Sequence, residues 1–397
     1  MEWSVRDTAR AASIKALAAR AALARTPTDG NLWYDLGRRL MDAGQPDEAA
    51  KALRAAARHL PGDLRPHLNL AGALIRIDDY AGALAVARDA LRLAPDDRAA
   101  RTLEFGLLVR MGRIEEARAR EDDIAEIDPA NPLLLRLWRD TMHSPAEMLL
   151  LLRRCDAILA DAPGNTAATH HKAMTLARLG RDDEARAAMD YEPLVSVIDG
   201  LMPEGHADID AFCATLSSEL QRNPTFVRDS SGRITENVFV SVNLEQPSDR
   251  AVPPLLRRLQ GAVGEYSAKL LQTASRPSAA RLASAQPKSA WLHAWGVIHR
   301  ARGRIKTHFH DSAWLSGVFY VAAPRAGGNG AFGGPLRLGE VDERLAPRRA
   351  PPWPIIDVEP VPGRLVLFPA YLPHATAPAV GDGDRFCISF DVMPLPG

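Results

Sequence analysis

The chain has 397 residues, of which 46% are hydrophobic and 25% charged, and its 49 Lys and Arg balance its 49 Asp and Glu. This length predicts two or three domains rather than one. The balanced charge excludes the strongly basic and strongly acidic classes of protein, so we expect no nucleic acid and no membrane surface among its partners.

Cysteine usage and the terminal sequence bear on the compartment. The three cysteines, Cys155, Cys213 and Cys387, are far apart and form no CxxC motif, which argues against a disulfide framework and fits a reducing cytoplasm. Residues 1–26 contain acidic side chains and no continuous apolar core, so we expect no secretory signal. The sequence has no run of about 18 apolar residues, so we expect no transmembrane helix. The high Ala and Arg content is compatible with a bacterial source.

The first half of the chain repeats itself. Prolines recur every 34 residues, and two further positions share that period: a turn position and, five positions later, a small residue. The three sets are Pro61, Pro95, Pro129 and Pro163; Gly44, Asp78, Gly112 and Gly180; and Ala49, Ala83, Ala117 and Ala185. Each unit is therefore predicted to form a helix, a turn and a second helix, with the small residue where the two helices approach closely.

Apolar stripes support the helical interpretation, as in Leu32, Leu36 and Leu40, which share one helix face. The period of 34 residues resembles that of tetratricopeptide repeats. The unit at 132–165 has lost its turn Gly and small Ala, and we expect it to be helical but distorted. Stacked helix pairs form a concave groove, so the resemblance implies a peptide or protein as substrate or partner in this groove.

The composition changes near residue 190. Ala-rich amphipathic sequence gives way to two more helical patterns and then to short apolar runs bounded by Gly and Pro, such as SGVFYVAAP, GRLVLFPAYL and RFCISFDVMP. Helices followed by antiparallel strands predict an α+β protein, an α-solenoid followed by a barrel or jelly roll braced by helices. We place a helical repeat domain at 1–190 and the second domain at 191–397.

Three histidines of the second domain form a candidate metal site. His308 and His310 are one residue apart in an extended pattern, so their side chains point the same way. His374 follows a buried apolar run at a Pro-marked turn and could complete a three-sided face around one ion, for which neutral imidazoles suit ferrous iron. Arg385 opens a strand with apolar flanks, where a guanidinium requires a buried anion such as a carboxylate.

These motifs resemble those of the 2-oxoglutarate- and Fe(II)-dependent oxygenases, in particular a bacterial and phage group with H-x-H-x-x-S/A-W-L-S-G-V-Y-Y, then G-R-L-V-L-F-P…H, then R-x-S-x-S-F-N. The resemblance covers residues 195–395 and implies a double-stranded β-helix (jelly-roll) fold. It implies Fe(II) bound by His308, His374 and His310, and 2-oxoglutarate as the co-substrate that chelates the iron, with its far carboxylate at Arg385 and Cys387. The activity it implies is that of a dioxygenase that hydroxylates a C–H group and releases succinate and CO2.

The chain departs from the pattern at several positions. His310 stands where most oxygenases of the wider superfamily have Asp or Glu, so it is either a third ligand or a donor behind a site of two histidines. Asp311 is adjacent but would point away from the metal on a strand. Cys387 replaces a serine, which weakens one hydrogen bond to the co-substrate, and Asp391 replaces an asparagine. Two alternatives therefore stay open: a three-histidine iron dioxygenase that does not use 2-oxoglutarate, and a non-enzymatic tetratricopeptide scaffold with a decayed oxygenase domain.

Other residues receive structural interpretations or a place at the pocket. The candidates for lining the pocket are Trp314, Ser316, Tyr320 and Lys306. His293 and His299 are interpreted as structural histidines with satisfied hydrogen bonds, and His170-His171 as exposed helix residues. The glycine-rich segment 327–335 is expected to be a flexible loop and a candidate lid over the site.

Overall fold

The computed structural model describes residues 1–3, 9–228, 234–241, 244–246, 248–273, 275–325, 332–341, 350–378, 381 and 383–395. The chain divides into two units, one of residues 6–138 and one of residues 1–5 with 139–397. The domain boundary expected after residue 190 stays a prediction. In the described ranges no helix is long and apolar enough to cross a membrane. Residues 327–331 of the candidate lid lie outside the described residues.

Residues 6–138 are built from helices. These are α1 (Ala9–Leu23), α2 (Gly30–Asp42), α3 (Pro46–His59), α4 (Leu64–Arg76), α5 (Tyr80–Leu93), α6 (Arg98–Arg110), α7 (Ile114–Arg118), α8 (Glu121–Ile127) and α9 (Pro132–Thr141), of which α9 ends beyond the division. Helices α2, α4, α6 and α9 start at residues 30, 64, 98 and 132, which repeats the 34-residue period of the sequence. The predicted helical repeat is therefore confirmed.

Local chemistry explains where these helices begin and end. The carboxylates of Asp29, Asp63 and Asp97 accept hydrogen bonds from backbone N–H groups in the first turns of α2, α4 and α6. The turns at Gly44 and Gly112 have φ of 70° and 69°, a left-handed conformation that glycine adopts without steric cost. The small residues Ala49, Ala83, Ala117 and Ala185 are all 0% exposed, as close packing of each helix pair requires.

The second unit contains the rest of the helices. These are α10 (Pro145–Asp161), α11 (Thr166–Arg178), α12 (Asp182–Met189), α13 (Ile209–Arg222), α14 (Val252–Gln272) and α15 (Pro277–Ser284), with a 3-10 turn at Glu192–Leu194. The 34-residue period, counted from the start of α7 at residue 114, predicts a helix that starts at residue 148. Helix α10 starts three residues earlier, at Pro145. A capping box of Ser144 and Glu147 sets this earlier start, so the fourth unit is helical but distorted.

Two sheets complete the second unit. Its strands are β1 (Glu2–Trp3), β2 (Ser196–Ile198), β3 (Phe226–Arg228), β4 (Thr235–Ser241), β5 (Ser289–Ile305), β6 (Leu315–Ala322), β7 (Leu336–Leu338), β8 (Ile356–Val358), β9 (Leu365–Pro369), β10 (His374–Thr376) and β11 (Arg385–Pro394). The larger sheet has the order β2-β9-β6-β11-β5-β4-β3, with β1 parallel to β5 and the other pairings antiparallel. The smaller antiparallel sheet has the order β10-β7-β8.

A cavity of about 210 Å³ is lined by strands of both sheets. Since side chains alternate along a strand, the odd-numbered positions of β5 and β11 share the face that lines the cavity, including Val297, His299, Arg385 and Cys387. The predicted α+β architecture, a helical repeat followed by an antiparallel β domain braced by helices, is confirmed.

Candidate metal centre

Three histidines converge beside the cavity. His308 and His310 follow the end of β5, and His374 begins β10. The backbones of His308 and His374 hold each other through two hydrogen bonds, of 3.0 and 2.8 Å, and His310 N–H donates to the carbonyl of Ala370 at 3.1 Å. One ring nitrogen of each of the three histidines lies within 4.8 Å of the others, a spacing that could hold one metal ion.

The tautomers of the three rings follow from their hydrogen bonds. His308 Nδ1 donates to the carbonyl of Lys306 at 2.9 Å, and His374 Nδ1 donates to the carbonyl of Leu372 at 3.0 Å. Because a carbonyl oxygen only accepts, each Nδ1 carries the hydrogen and each Nε2 keeps its lone pair. Burial lowers the pKa of His308 to about 4 and the pKa of His374 well below its usual value. Both rings are therefore neutral donors for a metal at neutral pH.

His310 has a different partner. Its Nδ1 lies 2.6 Å from Oδ2 of Asp391, whose other oxygen accepts a hydrogen bond from Ser316 Oγ at 2.7 Å. Burial acts to lower the pKa of His310, but the charge of Asp391 and this hydrogen bond outweigh it and raise the pKa. Hydrogen bonds of this kind fix the orientation of a metal-binding imidazole and increase its basicity.

Replacing Asp391 with alanine is expected to weaken metal binding about 10- to 100-fold, because His310 would lose the partner that orients its ring. The affinity is measured by competition between the apo-protein and a chromophoric chelator. Asp311→Ala is the matched control, since Asp311 accepts a hydrogen bond from Ser312 and lies outside the histidine cluster. Equal affinities of the two variants for the metal would contradict this role of Asp391.

Arg385 lines the same cavity. The residue is 0% exposed, and Nη1 donates to the carbonyl of Gly334, whereas Nε and Nη2 make no hydrogen bond with the groups that the structure describes. Burial lowers the pKa of its guanidinium, which remains a strong base. Among the residues that the structure describes, no carboxylate pairs with Arg385. A buried cation with two unused donor atoms facing a cavity is suited to a carboxylate ligand.

The structure separates the four candidate pocket residues. Ser316 and Tyr320 line the cavity, as does Cys387, whereas Trp314 and Lys306 are not among the residues that line it. Trp314 directly precedes β6, and its Nε1 donates to the carbonyl of Leu282 in the core. The ammonium of Lys306 lies 3.2 Å from Glu236 instead.

The interpretation of His170 and His171 as exposed helix residues is wrong. They are 3% and 1% exposed, because α11 packs against the segments that carry the candidate ligands. The ring of His170 stacks on Phe309 at 3.7 Å, and its Nδ1 donates to the carbonyl of Tyr371 at 3.0 Å. Thr166 Oγ1 donates to the carbonyl of Ala313 at 2.9 Å. Helix α11 therefore supports both loops of the histidine cluster, which the helical period alone does not indicate.

Comparison with known proteins supports this organisation. Residues 293–391 match the family model described as "Putative 2OG-Fe(II) oxygenase", and residues 34–98 and 74–137 match two tetratricopeptide-repeat models. The match to the first model includes His308, His310, His374 and Arg385. No curated protein matches the chain.

The solved structures similar to parts of the chain include a hydroxylase and a tetratricopeptide-repeat protein. A prolyl-4-hydroxylase from Pseudomonas putida is 17% identical over 51% of this chain and 93% of its own, with a TM-score of 0.34. YrrB, a tetratricopeptide-repeat protein with an unusual peptide-binding site, is 14% identical over 44% of this chain and 94% of its own, with a TM-score of 0.37. MamA from Desulfovibrio magneticus RS-1 is 19% identical over 41% of this chain and 91% of its own, with a TM-score of 0.36.

Proposed function

We propose, from the premise that this chain joins tetratricopeptide repeats to a domain of a 2OG-Fe(II) oxygenase family, that it is an Fe(II)- and 2-oxoglutarate-dependent dioxygenase. Its reaction would hydroxylate a C–H group of a peptide or protein held by the repeats. The observation that carries the proposal is the placing of three convergent imidazoles and an unpaired buried arginine around one cavity.

The residues present fit the metal. His308 and His374 offer neutral Nε2 donors, and His310 offers a third that is oriented by Asp391. Imidazole donors suit iron among the first-row metals, and a face of three leaves further coordination positions open. In this proposal His310 is a direct ligand, and Asp391 supplies from behind the ring the negative charge that a carboxylate ligand would bring.

The residues also fit the co-substrate. The far carboxylate of 2-oxoglutarate would accept hydrogen bonds from Nε and Nη2 of Arg385, the two donor atoms that have no other partner. A carboxylate there would compensate the buried guanidinium charge. The apolar side chains of Val297, Val318 and Phe368 also line the cavity and would exclude water from the charged pair.

Iron(II) with 2-oxoglutarate supplies the activation of dioxygen, with decarboxylation of the oxoacid to succinate and CO2. The chain supplies position and environment. Arg385 holds the co-substrate by its far end, the histidines are held in one tautomer by Lys306, Leu372 and Asp391, and the two sheets enclose the reacting atoms. Such positioning makes the reaction of bound groups effectively intramolecular.

A groove in residues 6–138 supports a peptide or protein substrate. A depression of about 650 Å³ is lined by α6 and its neighbours. It presents apolar side chains such as Leu103 and Leu107 together with Arg98 and Arg110. This combination suits an extended segment with apolar and acidic side chains.

The chemistry is tested by anaerobic titration of Fe(II) and 2-oxoglutarate into the apo-protein, with the visible iron-to-oxoacid charge-transfer band as readout. We expect the band in the wild-type protein and its loss in His374→Ala. Iron binding without the band would favour the three-histidine dioxygenase that does not use 2-oxoglutarate. Absence of iron binding would favour the scaffold.

The substrate class is tested by a charge placed in the groove. Leu103→Glu is expected to reduce at least tenfold the stimulation of succinate formation by the substrate protein fraction, and to leave unstimulated turnover unchanged. Leu93→Glu is the matched control, because Leu93 is exposed on α5 and does not line the groove. Equal stimulation of the two variants would show that the groove does not select the substrate.

A further inference from the structure

His299 lies beside Arg385, where the far carboxylate of the proposed co-substrate would bind. This part of the cavity is called the co-substrate end. His299 lies on β5 directly opposite Arg385 on β11, and directly opposed residues of antiparallel strands point to the same face about 4.5 to 5.5 Å apart. Both residues line the cavity, and both are almost fully buried, at 1% and 0% exposure. Among the described residues, Nδ1 of His299 has no hydrogen-bond partner, like Nε and Nη2 of Arg385. Two neighbouring buried groups with unused polar atoms therefore face one cavity.

The hydrogen bonds around Thr376 indicate which nitrogen of His299 carries the hydrogen. Oγ1 of Thr376 accepts from the backbone N–H of Ile305 at 2.8 Å and lies 3.4 Å from Nε2 of His299. Of the described groups, Nε2 of His299 is the one within hydrogen-bond distance of Thr376 Oγ1 that could accept its hydroxyl hydrogen, and we assign the contact in that direction. Nε2 then accepts, and Nδ1 is an N–H donor.

The charge state of His299 agrees with this assignment. Burial and the guanidinium of Arg385 lower its pKa well below the usual value, against a smaller opposite effect of the Arg385 carbonyl. The ring is therefore neutral. A neutral donor beside a buried cation is suited to an anion, because it adds a hydrogen bond without adding charge repulsion between the side chains.

Cys387, the cavity-lining neighbour of Arg385 on β11, is a weak hydrogen-bond donor. It also lines the cavity, next to Arg385 in the same strand face, and burial raises the pKa of its thiol to about 11. A neutral thiol is a weak hydrogen-bond donor. Tyr320 also lines the cavity near Arg385, so a neutral donor at His299 would add to a cation, a phenol hydroxyl and a weakly donating thiol.

We propose that His299 Nδ1–H donates a hydrogen bond to the same carboxylate that pairs with Arg385, and so forms a second recognition element for a dicarboxylic oxoacid. This inference rests on the proposed function. It assigns a binding role to a histidine that the sequence presents as structural. The Thr376 hydroxyl is a positioning group, since it holds the His299 ring in the donating tautomer.

The test compares two ligands that differ at one end. 2-Oxopentanoate carries a methyl group where 2-oxoglutarate carries its far carboxylate. Binding of each is measured by anaerobic calorimetry with the full-length protein loaded with Mn(II), so the readout is affinity and not turnover. His299→Leu removes the donor, and His299→Asn is the matched variant that keeps an N–H near the position of Nδ1.

We expect His299→Leu to weaken 2-oxoglutarate binding about tenfold or more, the loss typical of one hydrogen bond to a charged group, with 2-oxopentanoate unaffected. His299→Asn should stay within about threefold of the wild type. Should His299→Leu fail to fold, Thr376→Val provides the same comparison, because it removes the group that fixes the tautomer, and a selective loss of about threefold is expected.

The outcomes separate the inference from the proposed function. If the wild type prefers 2-oxoglutarate over 2-oxopentanoate but His299→Leu, or Thr376→Val in its place, weakens both ligands equally or neither, the role of His299 is wrong and the proposed function stands. If the wild type does not distinguish the ligands, the proposed function fails and the inference fails with it.

Discussion

Arg385→Met is expected to abolish the binding of 2-oxoglutarate and at the same time to stabilise the ligand-free protein. The affinity should fall at least about 100-fold, because removing one member of a buried charge pair costs several kcal/mol. Without ligand, the wild type keeps a fully buried cation with two unused donor atoms and no described carboxylate partner. Replacing it with an apolar side chain of similar length should increase the free energy of unfolding by about 1–3 kcal/mol.

The measurement is chemical denaturation of the apo-protein, together with calorimetry of the Mn(II)-loaded protein. Arg364→Met is the matched control, since Arg364 pairs with Asp199 at 2.6 Å and does not line the cavity. The control should bind 2-oxoglutarate normally and should be no more stable than the wild type. A destabilised Arg385→Met variant would mean that Arg385 is a structural residue rather than a ligand-binding one.

Deleting residues 1–190 is expected to prevent folding of the oxygenase-family domain, whereas deleting residues 1–138, which removes only the two-residue strand β1 from its sheet, should leave it folded. Ten of the 13 residues of α11 are buried, and Leu152, Met174, Leu176 and Met189 belong to the same hydrophobic core as β5, β6 and β11. Burial of each such side chain contributes about 1.5–3 kcal/mol. The four together amount to about 6–12 kcal/mol, comparable to the whole stability of a typical domain, about 5–15 kcal/mol.

The two shortened chains are compared by circular dichroism, thermal unfolding and metal affinity. His170→Ala in the full chain tests the same contact on a smaller scale. It removes the ring stacked on Phe309 and the hydrogen bond to the Tyr371 carbonyl, so metal affinity should fall even where the variant stays folded. Burial lowers the pKa of His170 to about 3, so this loss should be the same at pH 6 and pH 8. A cooperatively folded chain starting at residue 191 would refute the supporting role of α11.

Much of the site could be predicted from local sequence, because its parts are short motifs. The one-residue gap between His308 and His310 places two rings on one side of an extended segment. The apolar flanks of Arg385 predict its burial, and it is indeed fully buried. The joining of tetratricopeptide repeats to an oxygenase-family domain is confirmed by the family models. The ligand roles of the histidines stay predictions.

The environments of other residues depended on which elements of the fold pack against them. Trp314 was expected at the pocket, but its indole N–H donates to the carbonyl of Leu282, which lies on a different element, α15. The helical period of α11 does not predict the burial of His170 and His171, because it shows which face is apolar and not which loop covers a polar face. The one available signal was the pair of polar residues, Thr166 and His170, one helical turn apart and therefore on one face of α11.

The sequence by itself determined the repeat period and the order of the repeats and the oxygenase-family domain, and it supplied the candidate side chains of the site, since each follows from short motifs and their spacing. Only the tertiary structure decided the pairing of Asp391 with His310 and the neighbourhood of His299 and Arg385. The physical reason is that hydrogen bonds and burial in this site join residues from about 70 to 200 positions apart, as with His170 and Tyr371. Local periodicity contains no information about contacts at such distances.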